Sequence, residues 1–132
     1  MVFFGPEDLQ LVVGTKSLRR RFLDRAVWNL YPAYLDEVRI YERVLQQRNA
    51  LLKNNKNYQL IEVYNQQFID ASIRLIKRRQ QYLSELFPYL LTVTSKISGQ
   101  EIQTKMIYKK NNLSSDNFNE EELKKEFQKK LE

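Results

Sequence analysis

The side chains with the most chemical potential in this sequence are its arginines. Lys16, Arg19, Arg20, Arg21 and Arg25 set five cations against one carboxylate, Asp24, within ten residues. Guanidinium groups clustered at a helix start can contact phosphate oxygens, and counterion release then drives binding with little sequence preference. The same run also fits a solvated helix face. A second cluster, Arg74, Lys77, Arg78 and Arg79, has no acid between Asp70 and Glu85. Neighbouring helix residues point to different sides, so only part of this cluster can face one ligand.

Other chemistries are excluded by composition. The chain contains no cysteine and no histidine. That removes disulfides, thiolate or imidazole metal sites, a cysteine nucleophile and a Ser-His-Asp triad. No G-x-x-x-x-G-K-[ST] phosphate loop is present. No acidic pair closes an apolar strand to hold magnesium. The aromatic residues from Trp28 to Tyr34 read as core and helix-corner packing. Ile97-Ser98-Gly99-Gln100 is similar to part of the LSGGQ signature of ABC ATPases, but that signature opens a helix onto a phosphate. Here the tetrapeptide ends a helical pattern and reads as a turn. A free-standing enzyme is therefore not expected.

The elements that carry these residues are mostly helical. A length of 132 residues with 42% hydrophobic and 12% aromatic content suits one domain with a real core. A net charge of +6 suits an anionic partner or simple solubility. No apolar run approaches the roughly 20 residues of a bilayer span, so no membrane association and a cytoplasmic location are expected. Val2, Phe3 and Phe4 read as a strand, and Pro6, Glu7 and Asp8 as the opening of a short helix ending at Gly14. Ser17 can cap a second helix reaching Tyr31, with Leu18, Phe22, Ala26 and Leu30 as its apolar stripe.

Pro32 to Lys53 predicts a third helix, with Tyr34, Val38, Tyr41, Leu45 and Leu52 on a heptad-like seam that includes Arg48. A polar loop then leads into a fourth helix from Tyr58 to Phe87, which Pro88 bends or restarts before it continues to Ser98. Ile61, Tyr64, Phe68, Ala71, Leu75, Tyr82 and Leu86 form its seam. Two long helices joined by a short loop predict an antiparallel, coiled-coil-like hairpin. Residues 101–109 alternate as a strand, with Ile102, Thr104, Met106 and Tyr108 on one side. A lone strand needs a pairing partner. Glu120 to Glu132 predicts a last helix with Leu123, Phe127 and Leu131 inward. The expected fold is mainly α, with short β elements near the start and at 101–109.

Several of these segments are specific enough to place in a family. Phe4-Gly5-Pro6-Glu7-Asp8-Leu9-Gln10-Leu11-Val12, with Gly14 and then Leu18-Arg19-Arg20-Arg21-Phe22-Leu23-Asp24, resembles the RecF family of bacterial recombination-repair ATPases, of the SMC-like ABC class. Tyr31-Pro32-x-Tyr34 continues the likeness, as does Leu45-x-Gln47-Arg48-Asn49-Ala50-Leu51-Leu52-Lys53. The match is strong over residues 1–53, a matter of pattern from there to Tyr108, and thin beyond.

The resemblance implies the helical arm, or lid, of such an ATPase. Residues 1–14 would come from the junction with the ATPase head. Residues 15–98 would form the arm, and 99–132 a strand, loop and helix of the same domain. ATP and magnesium are expected of the full-length protein and no cofactor of this segment, because the family's phosphate loop precedes this region and its signature helix and acidic strand follow it. The resemblance further implies DNA repair, replication, recombination and the SOS response, head dimerisation on ATP, arms lining a basic cleft around duplex DNA, and docking of the mediator RecR. DNA binding by the isolated segment would be weak or absent. Gly5-Pro6-Glu7 stands where related heads place a glutamine that senses nucleotide and metal, and this chain has none there. Gly14-Thr15-Lys16 departs from the common G-x-P pattern by carrying lysine. Arg19, Arg20 and Arg21 match an RR-x-FLD block whose arginines either hold the arm on the head or touch DNA. A protein-interaction or structural module with no direct DNA contact is the alternative.

Overall fold

The computed structural model describes residues 5, 9–54, 57–100, 103, 105–108 and 119–131. Among them are five helices: α1 (Gln10–Val13), α2 (Lys16–Leu30), α3 (Tyr34–Asn54), α4 (Tyr58–Ser98) and α5 (Glu120–Leu131). The mainly α expectation holds.

Local chemistry sets the boundaries. Gly14 closes α1, its N–H donating to the Gln10 carbonyl at 2.8 Å. A Cβ at Gly14 would sit 2.2 Å from that same oxygen, so only glycine allows so tight a closure. Thr15, and not Ser17, caps α2: its hydroxyl accepts from the Leu18 N–H at 3.4 Å. Asn57 caps α4, accepting from the Leu60 N–H at 3.1 Å. Gly99 ends α4 in the left-handed region, with φ 67°. Of the two outcomes expected at Pro88, a bend or a restart, the restart does not occur: Pro88 lies inside α4 and the helix runs through it.

α3 and α4 form the predicted antiparallel hairpin. Partners descend α3 as they ascend α4: Arg48 meets Asn65, Tyr41 meets Phe68, Glu37 meets Arg78, and Tyr34 meets Arg79. α4 has 41 residues against 21 in α3, so its second half outruns its partner by about 30 Å at 1.5 Å per residue. On that half Tyr89, Val93 and Ile97 are exposed.

Two apolar clusters hold the remaining helices to α4. Val27 of α2, Tyr34 of α3 and Leu75 of α4 are buried together, with Leu23, Tyr31, Val38, Tyr41 and Tyr82 around them. Leu123 of α5 is fully buried against Ile69, Ile73 and Ile76, flanked by Phe127, Leu131 and Tyr108. The stripe expected on α2 is corrected. Phe22 and Leu30 are more than half exposed, while Leu23, Val27 and Tyr31 face the core. Both sets repeat every four residues, and only tertiary packing distinguishes them.

The expected β elements are also corrected. Residues 103 and 105–108 carry no strand, and no strand occurs among the described residues. Residues 101, 102, 104 and 109, like the opening strand at Val2–Phe4, lie outside the described residues. The alternation nevertheless has a physical outcome. Met106 and Tyr108 are half-buried while Lys105 and Ile107 are exposed, and Tyr108 packs on the α4–α5 cluster. Among the described residues the segment has no ladder partner, which any strand requires.

Candidate nucleic-acid interface

The basic residues predicted from sequence divide into an inward set and an outward set. Arg79 anchors the first. Its Nε and Nη2 donate to the two carboxylate oxygens of Asp24 on α2, at 2.8 and 3.0 Å. Its Nε also donates to the Tyr34 hydroxyl at 2.9 Å, and its Nη1 to the Tyr108 hydroxyl at 3.3 Å. The Tyr34 hydroxyl donates in turn to Asp24 at 2.6 Å. This is a bidentate guanidinium–carboxylate pair reinforced by two phenols. Four parts of the molecule meet there: α2, α3, α4 and the 105–108 segment.

Burial and hydrogen bonding set the charge state of this node. Burial alone works against the Arg79 cation, but the bond to Asp24 and the facing tyrosines outweigh it, and its pKa is raised. Burial and the bond to Asp24 push the Tyr34 phenol well above its ordinary value. Arg79 thus stays charged and Tyr34 stays a donor. With an exposure of only 12%, the Arg79 side chain has its donors turned to protein rather than solvent.

Arg78 and Lys77 are partly committed as well. Arg78 pairs with Glu37 at 3.3 Å and lies over the Tyr31 ring, 5.6 Å from its centroid. Lys77 pairs with Glu120 of α5 at 3.7 Å, both ends being largely exposed. Nearby, the Tyr31 hydroxyl donates to Glu85, and the Gln81 amide donates to the other Glu85 oxygen at 3.1 Å. The Tyr31 bond first, then Gln81, holds the Glu85 carboxyl below its usual range. Arg74 is exposed, with no hydrogen bond or ion pair to a described residue.

The outward set lies on α2. Lys16, Arg19, Arg20, Arg21 and Arg25 are all exposed. Arg19 donates to the Gly14 carbonyl at 2.8 Å. Lys16, Arg20, Arg21 and Arg25 make no hydrogen bond or ion pair with any described residue. Asp24 is the sole acid between positions 9 and 35, and it faces Arg79. The field of the α2 cations is therefore not offset by a neighbour on their own helix. Lys16 and Arg19 also sit in the first turn of α2, at the positive end of the helix dipole, and that turn has no acid. Helix stability alone disfavours that arrangement.

Sequence reasoning placed the arginines but missed how Asp24, Tyr34 and Tyr108 use one of them. Asp24 and Arg79 are 55 positions apart; the only signal was a lone acid inside a basic run. The remaining motif positions separate in the same way. Leu23 and Asp24 turn inward, while Leu9, Phe22, Gln47 and Asn49 are exposed. Arg48 donates through Nε to Asn65 at 2.6 Å and lies over the Phe68 ring, 5.5 Å from its centroid. Pro6, Glu7 and Asp8 lie outside the described residues. No helix is long and apolar enough to cross a membrane among the described residues.

Comparison with known proteins points one way. The chain is similar to the DNA replication and repair protein RecF of Shouchella clausii, with 37% identity over 110 residues, covering 79% of this chain and 30% of that protein. The RecF of Acholeplasma laidlawii is 35% identical over 121 residues, covering 89% of this chain and 34% of its own length. The RecF of Citrifermentans bemidjiense is 38% identical over 109 residues, covering 83% and 30% respectively. The chain spans about a third of the length of these curated relatives. No family model matches it, and no solved structure does. At this identity over most of its residues, the chain is homologous to RecF, over one segment of that DNA replication and repair protein.

Proposed function

We propose that this chain is the helical arm of a RecF-type recombinational repair protein, and that it contributes a sequence-independent DNA contact through the outward arginines of α2. One observation carries the reading. Arg20, Arg21 and Arg25 are exposed and unpaired among the described residues, beside the sole local acid, which faces the core. Phosphates are the natural partners of such a surface. In the full-length protein, ATP and magnesium would be bound by other regions, and heads closing on ATP would bring two arms to one duplex. The isolated arm binds weakly on this account, because its cations are few.

The test is a titration of the chain, at low salt, into a fluorescent 20-base-pair duplex followed by anisotropy. Arg20→Glu, Arg21→Glu and Arg25→Glu together should abolish the signal, and Arg74→Glu should reduce it less. Unchanged binding by the triple variant overturns the assignment.

A second reading, docking of RecR, is favoured by the exposed Leu18, Phe22 and Trp28 on α2. Salt separates the two: a phosphate contact weakens steeply as salt rises and an apolar one does not. A RecR pull-down insensitive to salt and lost in Phe22→Asp would favour this second reading.

A further inference from the structure

We infer that Arg79 is a positioning residue for the DNA contact: by holding Asp24 against α4 it keeps that carboxylate from pairing with Arg20 and Arg21 of its own helix, and so leaves both cations to phosphates. The inference rests on the reading of α2 as a DNA contact and adds to it a residue that itself touches no DNA.

Sequence spacing sets up a competition. Arg20 and Arg21 precede Asp24 by four and three positions, the separations at which side chains on one helix face meet. No other cation stands at either spacing from Asp24 along α2. On α2 taken alone, the carboxylate would therefore lie within reach of either guanidinium. Paired there, it would occupy a phosphate-binding group and repel an approaching phosphate.

The fold resolves the competition the other way. Both Asp24 oxygens are taken by groups from other helices. Oδ1 accepts from Arg79 Nε at 2.8 Å and from the Tyr34 hydroxyl at 2.6 Å, and Oδ2 accepts from Arg79 Nη2 at 3.0 Å. A planar fork that grips both oxygens fixes the orientation of the carboxylate, which a single ammonium would not. The pair is also sheltered. Its side chains are 12% and 25% exposed, so it is screened less than a pair formed on the open face of α2. The neighbouring cations of α4 have other partners: Arg78 is on Glu37 at 3.3 Å and over the Tyr31 ring, and Lys77 is on Glu120 at 3.7 Å. Among the described residues, Arg79 is the cation that holds Asp24.

The experiment is the slope of log binding constant against log salt for the whole chain on a fluorescent 20-base-pair duplex, with circular dichroism on each variant. Arg79→Gln releases Asp24 and should make the slope shallower by about one, although no phosphate-contacting residue has been changed. Adding Asp24→Asn, which cannot form an ion pair, should restore the native slope. A mutant cycle supplies the readout that a merely structural role would not move. Arg20→Gln with Arg21→Gln should flatten the slope by about two in the native chain, but by only about one in the Arg79→Gln background, where Asp24 already holds one of them. In a Lys96→Gln background, which removes a charge from the far end of α4, the loss should stay at about two. Equal losses in the native and Arg79→Gln chains overturn the inference and leave the DNA contact standing. No loss from Arg20→Gln with Arg21→Gln in the native chain overturns both. Should Arg79→Gln unfold, Asp24→Asn alone decides. An unchanged slope is expected, because Asp24 holds no α2 cation in the native chain; a steeper slope overturns the inference.

Discussion

At the crossing of α2 and α4, Arg79 is only 12% exposed and places both arms of its guanidinium on Asp24. On the same helix as Asp24, Arg20, Arg21 and Arg25 point to solvent and hold nothing among the described residues. One residue type thus does two jobs within a few turns. Inward, a planar five-donor fork ties three helices and a loop segment together. Outward, the same group keeps its donors free and its charge uncompensated. The difference lies in the acid: Asp24 faces one arginine and thereby leaves the others exposed as a net positive surface.

The comparison breaks most visibly if the inward arginine is removed. Arg79→Ala leaves Asp24 partly buried without its partner, and should cost about 3 kcal/mol or more in urea unfolding. Asp24→Ala should cost a similar amount, and the double variant less than the sum, which a double-mutant cycle will show. Leu123→Ala, at the fully buried contact of α5, should cost about 2–5 kcal/mol by the same assay. Tyr34→Phe removes one donor to Asp24 and one acceptor from Arg79, for about 1–2 kcal/mol.

Tyr34 also predicts a pH dependence. Its folded pKa lies above the ordinary 10.0, so its contribution is fully present below about pH 10 and is lost as pH rises beyond. Stability should therefore fall through this alkaline window, and less steeply in Tyr34→Phe. Replacing Arg20, Arg21 and Arg25 by glutamine should move stability by no more than about 0.5 kcal/mol. The smallest effect concerns Glu85. Its folded pKa is below the ordinary 4.5, so its contribution is present above that value and is lost as pH falls. Acid unfolding of Tyr31→Phe should show a slightly shallower slope.

Local chemistry made much of the fold legible. Gly14 and Gly99 marked two helix ends in the sequence, whereas the side-chain cap at Asn57 sat within a polar loop and is evident only from the structure. The seam Tyr34, Val38, Tyr41 and its partners Phe68, Ala71 and Leu75 announced the hairpin by spacing alone. The α2 stripe did not read correctly, since Leu18-Phe22-Ala26 and Leu23-Val27-Tyr31 have the same spacing and differ only in which one α3 and α4 cover. Pro88 was expected to bend or restart the helix, and the helix runs through it without a restart because a proline removes one hydrogen bond while its neighbours keep theirs. Residues 105–108 alternate as a strand should, and have no ladder partner among the described residues. For the candidate interface, the arginines were evident from composition. Their division into inward and outward sets was not, because it depends on a contact between positions 24 and 79 that only the tertiary fold creates.

The central claim is that the outward arginines, and not the inward one, meet nucleic acid. The direct measurement is the slope of log binding constant against log salt for duplex DNA, compared between the native chain and Arg21→Gln and Tyr34→Phe variants. The account predicts a slope shallower by about one for Arg21→Gln, as one phosphate contact is lost, with Tyr34→Phe unchanged. Equal slopes for the native chain and Arg21→Gln would contradict it.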